Sequence, residues 1–176
     1  RVCWVHNRLL GMLVAYGASH GVDGLRPSPL AAPTLATWME ELARARERAD
    51  VAIIRLLRAY SGYTRDEPRV SGCGEAVQAA GLILSVQMRI EDERRNHPNA
   101  RVPDVPFEQI TTFAHRHRDL PVVMGGAPWR PVLSGAKAIL ACDHVYAETS
   151  QMAGRHRRAT ISDPPPTLPP DQRLWL

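Results

Sequence analysis

Lysine is almost missing from this chain: Lys137 stands alone against 21 arginines. Together with abundant alanine and proline, that bias reflects a GC-rich coding sequence. It therefore gives no licence to read each arginine as chosen over lysine for bidentate bonding. Cysteine is scarce as well. Cys3, Cys73 and Cys142 are odd in number, far apart and without close-paired spacing, which excludes a disulfide framework and points to reduced thiols in a cytosolic or nuclear protein. No apolar run approaches the roughly 20 residues that span a bilayer. The chain opens at Arg1 rather than at methionine, so the expectation is an excerpt of a longer protein. The missing signal peptide then says little about the parent.

What is present suits one globular unit. The 176 residues, 44% apolar and 23% charged, match a domain with a single core. Charge is unevenly spread. Residues 114–160 hold Arg116, Arg118, Arg130, Lys137, Arg155, Arg157 and Arg158 against Asp119, Asp143 and Glu148, which equals the whole net charge of +4. His115, His117, His144 and His156 fall in the same stretch. A basic region on a neutral body is the footprint of a polyanion partner, most often nucleic acid.

Apolar periodicity predicts helices over residues 2–19, 34–61 and 75–96. The second has a possible capping box at Thr37 and Glu40, a possible break at Asp50 and a Glu40–Arg44 pair on its polar face. The first reads as well buried and the third as the central core helix. A short helix follows over 106–118, then a turn or short strand at Val122-Val-Met124, then a helix from about residue 130 to Gly154. Pro164-Pro-Pro and Pro169-Pro forbid regular structure beyond Thr160. The fold class expected is mostly α: a compact multi-helix domain over residues 1–160 with a helix-turn-helix-like pair, and a Pro-rich extension over 161–176 that docks on or leaves it.

That pair, 106–118 and 130–154, carries the candidate DNA contacts. Arg130, Ser134, Lys137 and His144 share one face of the second helix, among small residues that permit close approach to a groove or phosphate chain. Arg155, Arg157 and Arg158 follow the presumed cap Gly154 as an arm. Arg116 and Arg118 add phosphate contacts. The plain alternatives are a solvated helix face and a compensated helix dipole. His115 and His117 diverge on a helix, Cys3/His6 and Cys142/His144 lack matching second pairs, and no metal or cofactor is expected. A Cys142/His144 nucleophile lacks an orienting third group, so no enzyme is expected. The glycines of Ser71-Gly-Cys-Gly74 and Gly125-Gly126 match neither phosphate-loop pattern.

The segment Trp129-Arg-Pro-Val-Leu-Ser-Gly-Ala-Lys-Ala, the Arg157-Arg158 pair and the Ala/Arg-rich composition resemble the DNA-binding domain of the alphaherpesvirus major immediate-early transcriptional regulator. The resemblance implies a homodimeric, sequence-specific duplex DNA binder in the host nucleus. It would activate some viral promoters, repress others and meet the transcription machinery. The competing class is a helical oligomerisation or scaffold module whose basic face binds an acidic protein.

Overall fold

Three of the predicted helices dissolve into helix followed by strand. In the computed structural model the described residues are 2–21, 24–57, 68–89, 103–127, 135, 137–139 and 141–148. They form α1 (Val2–Ser19), β1 (Leu30–Ala31), α2 (Trp38–Arg46), β2 (Ile53–Leu56), α3 (Pro68–Ala79), β3 (Ile83–Gln87), α4 (Phe107–Arg116), β4 (Val122–Gly125) and β5 (Val145–Ala147). Residues 135 and 137–139 are also helical. The mostly-α expectation is overturned: the chain is an α/β protein around a five-stranded sheet in which every pairing is parallel.

Each departure has a local cause. The helix expected over 34–61 stops at Arg46. Thr37 occupies its N-cap without a side-chain bond, and the ion pair formed is Arg44–Glu41 at 2.8 Å rather than Glu40–Arg44. Asp50 does mark the break, but by taking the Arg48 guanidinium at 2.6 and 2.9 Å in a turn that leads into β2. From Val51 the sequence is rich in β-branched residues and apolar apart from Arg55, which suits a strand of a parallel sheet.

The helix expected over 75–96 starts earlier, at Pro68, and ends at Ala79, just before Gly81. Gly81 takes φ +69°, and the Leu82 N–H bonds the Val77 carbonyl at 3.2 Å, a left-handed helix stop that favours glycine. What followed as core helix is β3. Gly74, expected in a loop, lies inside α3, where a Cβ would stand 2.7 Å from the Phe113 ring of α4.

The helix expected to reach Gly154 closes at residues 141–142, where Ala141 and Cys142 bond back to Lys137 and Ile139. β5 then begins at Val145, and β4 separates α4 from the helical residues 135 and 137–139 by pairing into the sheet. Among the described residues the expected pair therefore forms no helix-turn-helix; its described parts belong to successive crossovers between parallel strands. The Pro-rich extension over 161–176 lies outside the described residues.

Strand order along the sheet is β1-β2-β3-β4-β5, the order of the chain. Parallel crossovers are right-handed, so an unreversed order keeps all connecting helices on one side. Burial agrees. Ile54, Leu56, Leu84, Val86, Val122, Met124, Val145 and Ala147 are buried on one face, in one core with Leu42 and Ala45 of α2, Val70, Cys73 and Val77 of α3, and Ile110 and Ala114 of α4. Fully burying each large side chain contributes about 1.5–3 kcal/mol. The other face carries one row of Leu30, Arg55, Ser85, Val123 and Tyr146, matched by register. By alternation, Leu57, Gln87, Gly125 and Glu148 form the next row towards the strand ends. The sheet is wound in one direction, with α2, α3 and α4 packed on one face and a mixed polar and apolar row on the other. α1 departs from its expected burial, since Leu9, Met12, Leu13 and Tyr16 are each more than half exposed. Among the described residues no helix is long and apolar enough to cross a membrane.

Candidate functional site at the carboxyl ends of the strands

Because all five strands run the same way, their carboxyl ends form one rim, the usual place for ligands in parallel α/β sheets. Here the rim centres on Gly125. A Cβ on Gly125 would stand 2.8 Å from Gln87 Oε1, 3.1 Å from Ser85 Oγ and 3.3 Å from Glu148 Oε2. Three polar side chains, two from β3 and one following β5, thus converge on a backbone position that offers them no side chain.

The adjoining residues hold this cluster in place. Gly126 turns with φ +59°, and its N–H donates to Glu148 Oε2 at 3.2 Å. Gln87 Nε2 donates to the Arg89 carbonyl at 2.7 Å, which fixes the amide with Oε1 towards Gly125. Arg89 in turn grips Asp104 through Nε at 3.1 Å and a terminal nitrogen at 2.8 Å. The Val105 N–H bonds the Met88 carbonyl at 2.9 Å. The chain leaving β3 and the chain returning to α4 are therefore clasped together beside the rim. The donors in the cluster are largely consumed internally, so it presents mainly acceptor oxygens. A carboxylate among fixed acceptors suits binding of hydroxyl or amine groups and exchange of a proton with one of them.

Most sequence candidates lie elsewhere. Arg116 and Arg118 are exposed at the end of α4 and in the turn after it, near the amino ends of the strands, and Lys137 is exposed on its helix. His144 sits in the turn before β5, not on a helix face. One ring nitrogen bonds the Ala114 carbonyl at 3.1 Å and the other faces Asp143 at 3.3 Å. Arg130, Ser134, Arg155, Arg157 and Arg158 lie outside the described residues.

His115 and His117 do diverge. His117 is buried against Gly74 and tilted on Phe113 with ring centroids 4.4 Å apart. Burial holds its imidazole below the ordinary range, the neutral form. His115 lies over Cys142, whose Sγ is 3.8 and 3.9 Å from the two ring nitrogens. The near-equal distances set the thiol beside the ring rather than in line with one nitrogen. Among the described residues no three His, Cys, Asp or Glu side chains gather as a metal site. A narrow cleft between α3 and α4 on the opposite face is floored by Leu56, Val70, Val86, Ile110 and Phe113 and edged by Gln109, Thr112 and Arg116 of α4.

Ser85, Gln87 and Glu148 escaped the sequence reading. Their signal was available in Leu84-Ser-Val-Gln-Met88, where polar residues alternate with apolar ones at the period of a strand. Gly125-Gly126 was noticed but compared only with phosphate loops.

No family model and no curated protein matches the chain, so the likeness to the herpesvirus regulator gains no support there. A solved structure does match: the crystal structure of an uncharacterized TIM-barrel protein, Bb4693 from Bordetella bronchiseptica. The TM-score is 0.57 at 18% identity, over 81% of this chain and 49% of that one. The likeness is one of fold. The chain spans about half the length of that barrel protein, in keeping with an arc whose strands follow chain order.

Proposed function

We propose that this chain contributes the ligand-holding arc of a TIM-barrel-type protein. Its site binds a small polar molecule at the carboxyl rim, and Glu148 exchanges a proton with a hydroxyl or amine of that molecule. The observation that carries this reading is the convergence of Ser85, Gln87 and Glu148 on Gly125. TIM-barrel enzymes hold their active sites at this end of the barrel, with residues contributed by several strands. The reading departs from the sequence expectation of a non-enzyme. The experiment is a thermal-shift screen of small hydroxylated and amine metabolites against the wild type, Gly125→Ala and Glu148→Gln. Compounds that stabilise the wild type should lose their effect in both variants. A folded wild type that responds to none of them, or responses indifferent to both variants, would overturn the reading.

A second reading keeps the polyanion partner. Arg116, Arg118 and Lys137 are exposed, within the stretch that holds the net charge. On this reading the chain, as a homodimer, binds duplex DNA without a helix-turn-helix. Affinity should fall with salt at a log–log slope of roughly −4 to −5. A flat response between low and physiological salt would remove it, and competition by an acidic protein but not by duplex would favour the scaffold class.

A further inference from the structure

The inner face of the arc carries a cation where a barrel interior normally holds branched apolar side chains. Arg55 lies mid-strand in β2, exposed, between the buried Ile54 and Leu56 of the opposite face. Its row neighbours are Leu30 on β1 and Ser85 on β3. Among the residues of the five strands it is the sole cation; Arg89, which follows β3, is engaged by Asp104 at 2.8 Å. Packing does not account for it: an arginine there adds no apolar contact to the helix-covered core.

We propose that Arg55 anchors an anionic group of the ligand. The site would then take a small molecule with a carboxylate or phosphate at one end and a hydroxyl or amine at the other. This rests on the reading of the rim given above. The guanidinium fork matches carboxylate and phosphate oxygens in pairs, and the hydroxyl of Ser85 stands one strand away, about 4.8 Å between backbones. Glu148 lies three strands from Arg55 and one row further along, roughly 16 Å between backbones at about 4.8 Å per strand and 3.3 Å per residue. Glu148 reaches over β4, where its Oε2 takes the Gly126 N–H at 3.2 Å, and an extended Arg55 would shorten the remaining span to the length of a short chain of carbons. Charge sets the polarity of the bound molecule, since its anionic end is drawn to β2 and repelled by the carboxylate after β5. The donor end therefore meets the acceptors around Gly125.

The test measures thermal stabilisation by glycerol phosphate and by glycerate, with uncharged glycerol as control. One or both anions should raise the melting temperature of the wild type where glycerol does not; the phosphate and carboxylate arms show which group is preferred. Arg55→Gln should weaken that anion's binding by at least about tenfold, while Arg116→Gln with Arg118→Gln should leave it unchanged. If Arg55→Gln does not fold, Arg55→Lys keeps the charge but loses the fork, and should weaken binding in the same direction. Anions that bind Arg55→Gln as tightly as the wild type, or that leave the wild type unaffected, overturn the proposal. If uncharged ligands still require Glu148 in that case, the rim reading stands and only the anion anchor fails. If they do not, both fail.

Discussion

Two adjacent glycines, Gly125 and Gly126, should answer differently to the same substitution. Gly126 holds φ +59°, a backbone region that costs a residue with a Cβ about 1–2 kcal/mol. An added methyl would also collide with Gln87 Nε2 and stand 2.8 Å from the Arg89 carbonyl. The backbone is pinned by the neighbouring clasp, so relief requires a shift costing about 1–3 kcal/mol. Gly126→Ala should therefore lose about 2–5 kcal/mol, or roughly 5–15 °C for a chain of this size. Gly125 has no positive φ, and its methyl would meet only the ends of side chains, Gln87 Oε1 at 2.8 Å and Ser85 Oγ at 3.1 Å. Swinging the Gln87 end aside forfeits its bond to the Arg89 carbonyl but moves no backbone, so Gly125→Ala should cost about 0.5–1.5 kcal/mol while filling the space that a ligand needs. Urea unfolding followed by circular dichroism, with ligand titration on the same samples, reads both quantities. A neutral Gly126→Ala, or a Gly125→Ala that unfolds the protein, would refute the assignment of one glycine to the turn and the other to the site.

Other outcomes follow from the core and its titrating groups. Leu84, fully buried at the centre of β3, should lose about 2–5 kcal/mol on truncation to alanine, read as a lower urea midpoint with an unchanged slope. Burial keeps the His117 imidazole below its ordinary 6.5, so the unfolded chain binds that proton first as pH falls. The stability it supports is complete above that value and is lost as pH drops towards the depressed folded value. His117→Phe should flatten this part of the pH profile of urea midpoints, and an unchanged profile would show that His117 does not contribute. The Cys73 thiol is pushed up to about 12 by burial, so peptide mapping after treatment with a thiol reagent should find it labelled only as the protein unfolds. Rapid labelling in native buffer would contradict its packing in α3.

The bounds of α1 and α4 were legible in the sequence because their termini are local. Ser19-His20-Gly21 ends the first, and Pro106 precedes the second. Strands β2, β3 and β5 were not. A strand in a parallel sheet with one face buried and the other half covered reads as an apolar run. Val51-Ala-Ile-Ile-Arg-Leu-Leu57 continued the helical spacing of α2 by coincidence. The decisive signs were small: φ-permissive Gly81 after α3, β-branching from Val51, and the two-residue alternation around Ser85 and Gln87. The rim could not be read at all without the fold, since Gln87, Gly125 and Glu148 meet only once three strands lie side by side. The basic stretch was real as composition. The described part of it is divided between the end of α4, a helix before β5 and the turn containing His144, so proximity in sequence did not amount to one face.

Chain order in the sheet also bears on how the molecule assembles. Each described strand pairs with the strand next to it in sequence, Leu30 with Arg55, Ile53 with Ile83, Leu84 with Val122 and Val122 with Val145. No strand has to be inserted between two that are already joined. Every loop that closes is therefore of moderate length, and its entropy grows only slowly with that length. A chain built this way can grow by accretion as it leaves the ribosome, each strand–helix unit settling on the one made before it. Its contacts lie a few tens of residues apart rather than across the whole length, so it should fold faster than a sheet of the same size whose first and last strands must meet at the centre.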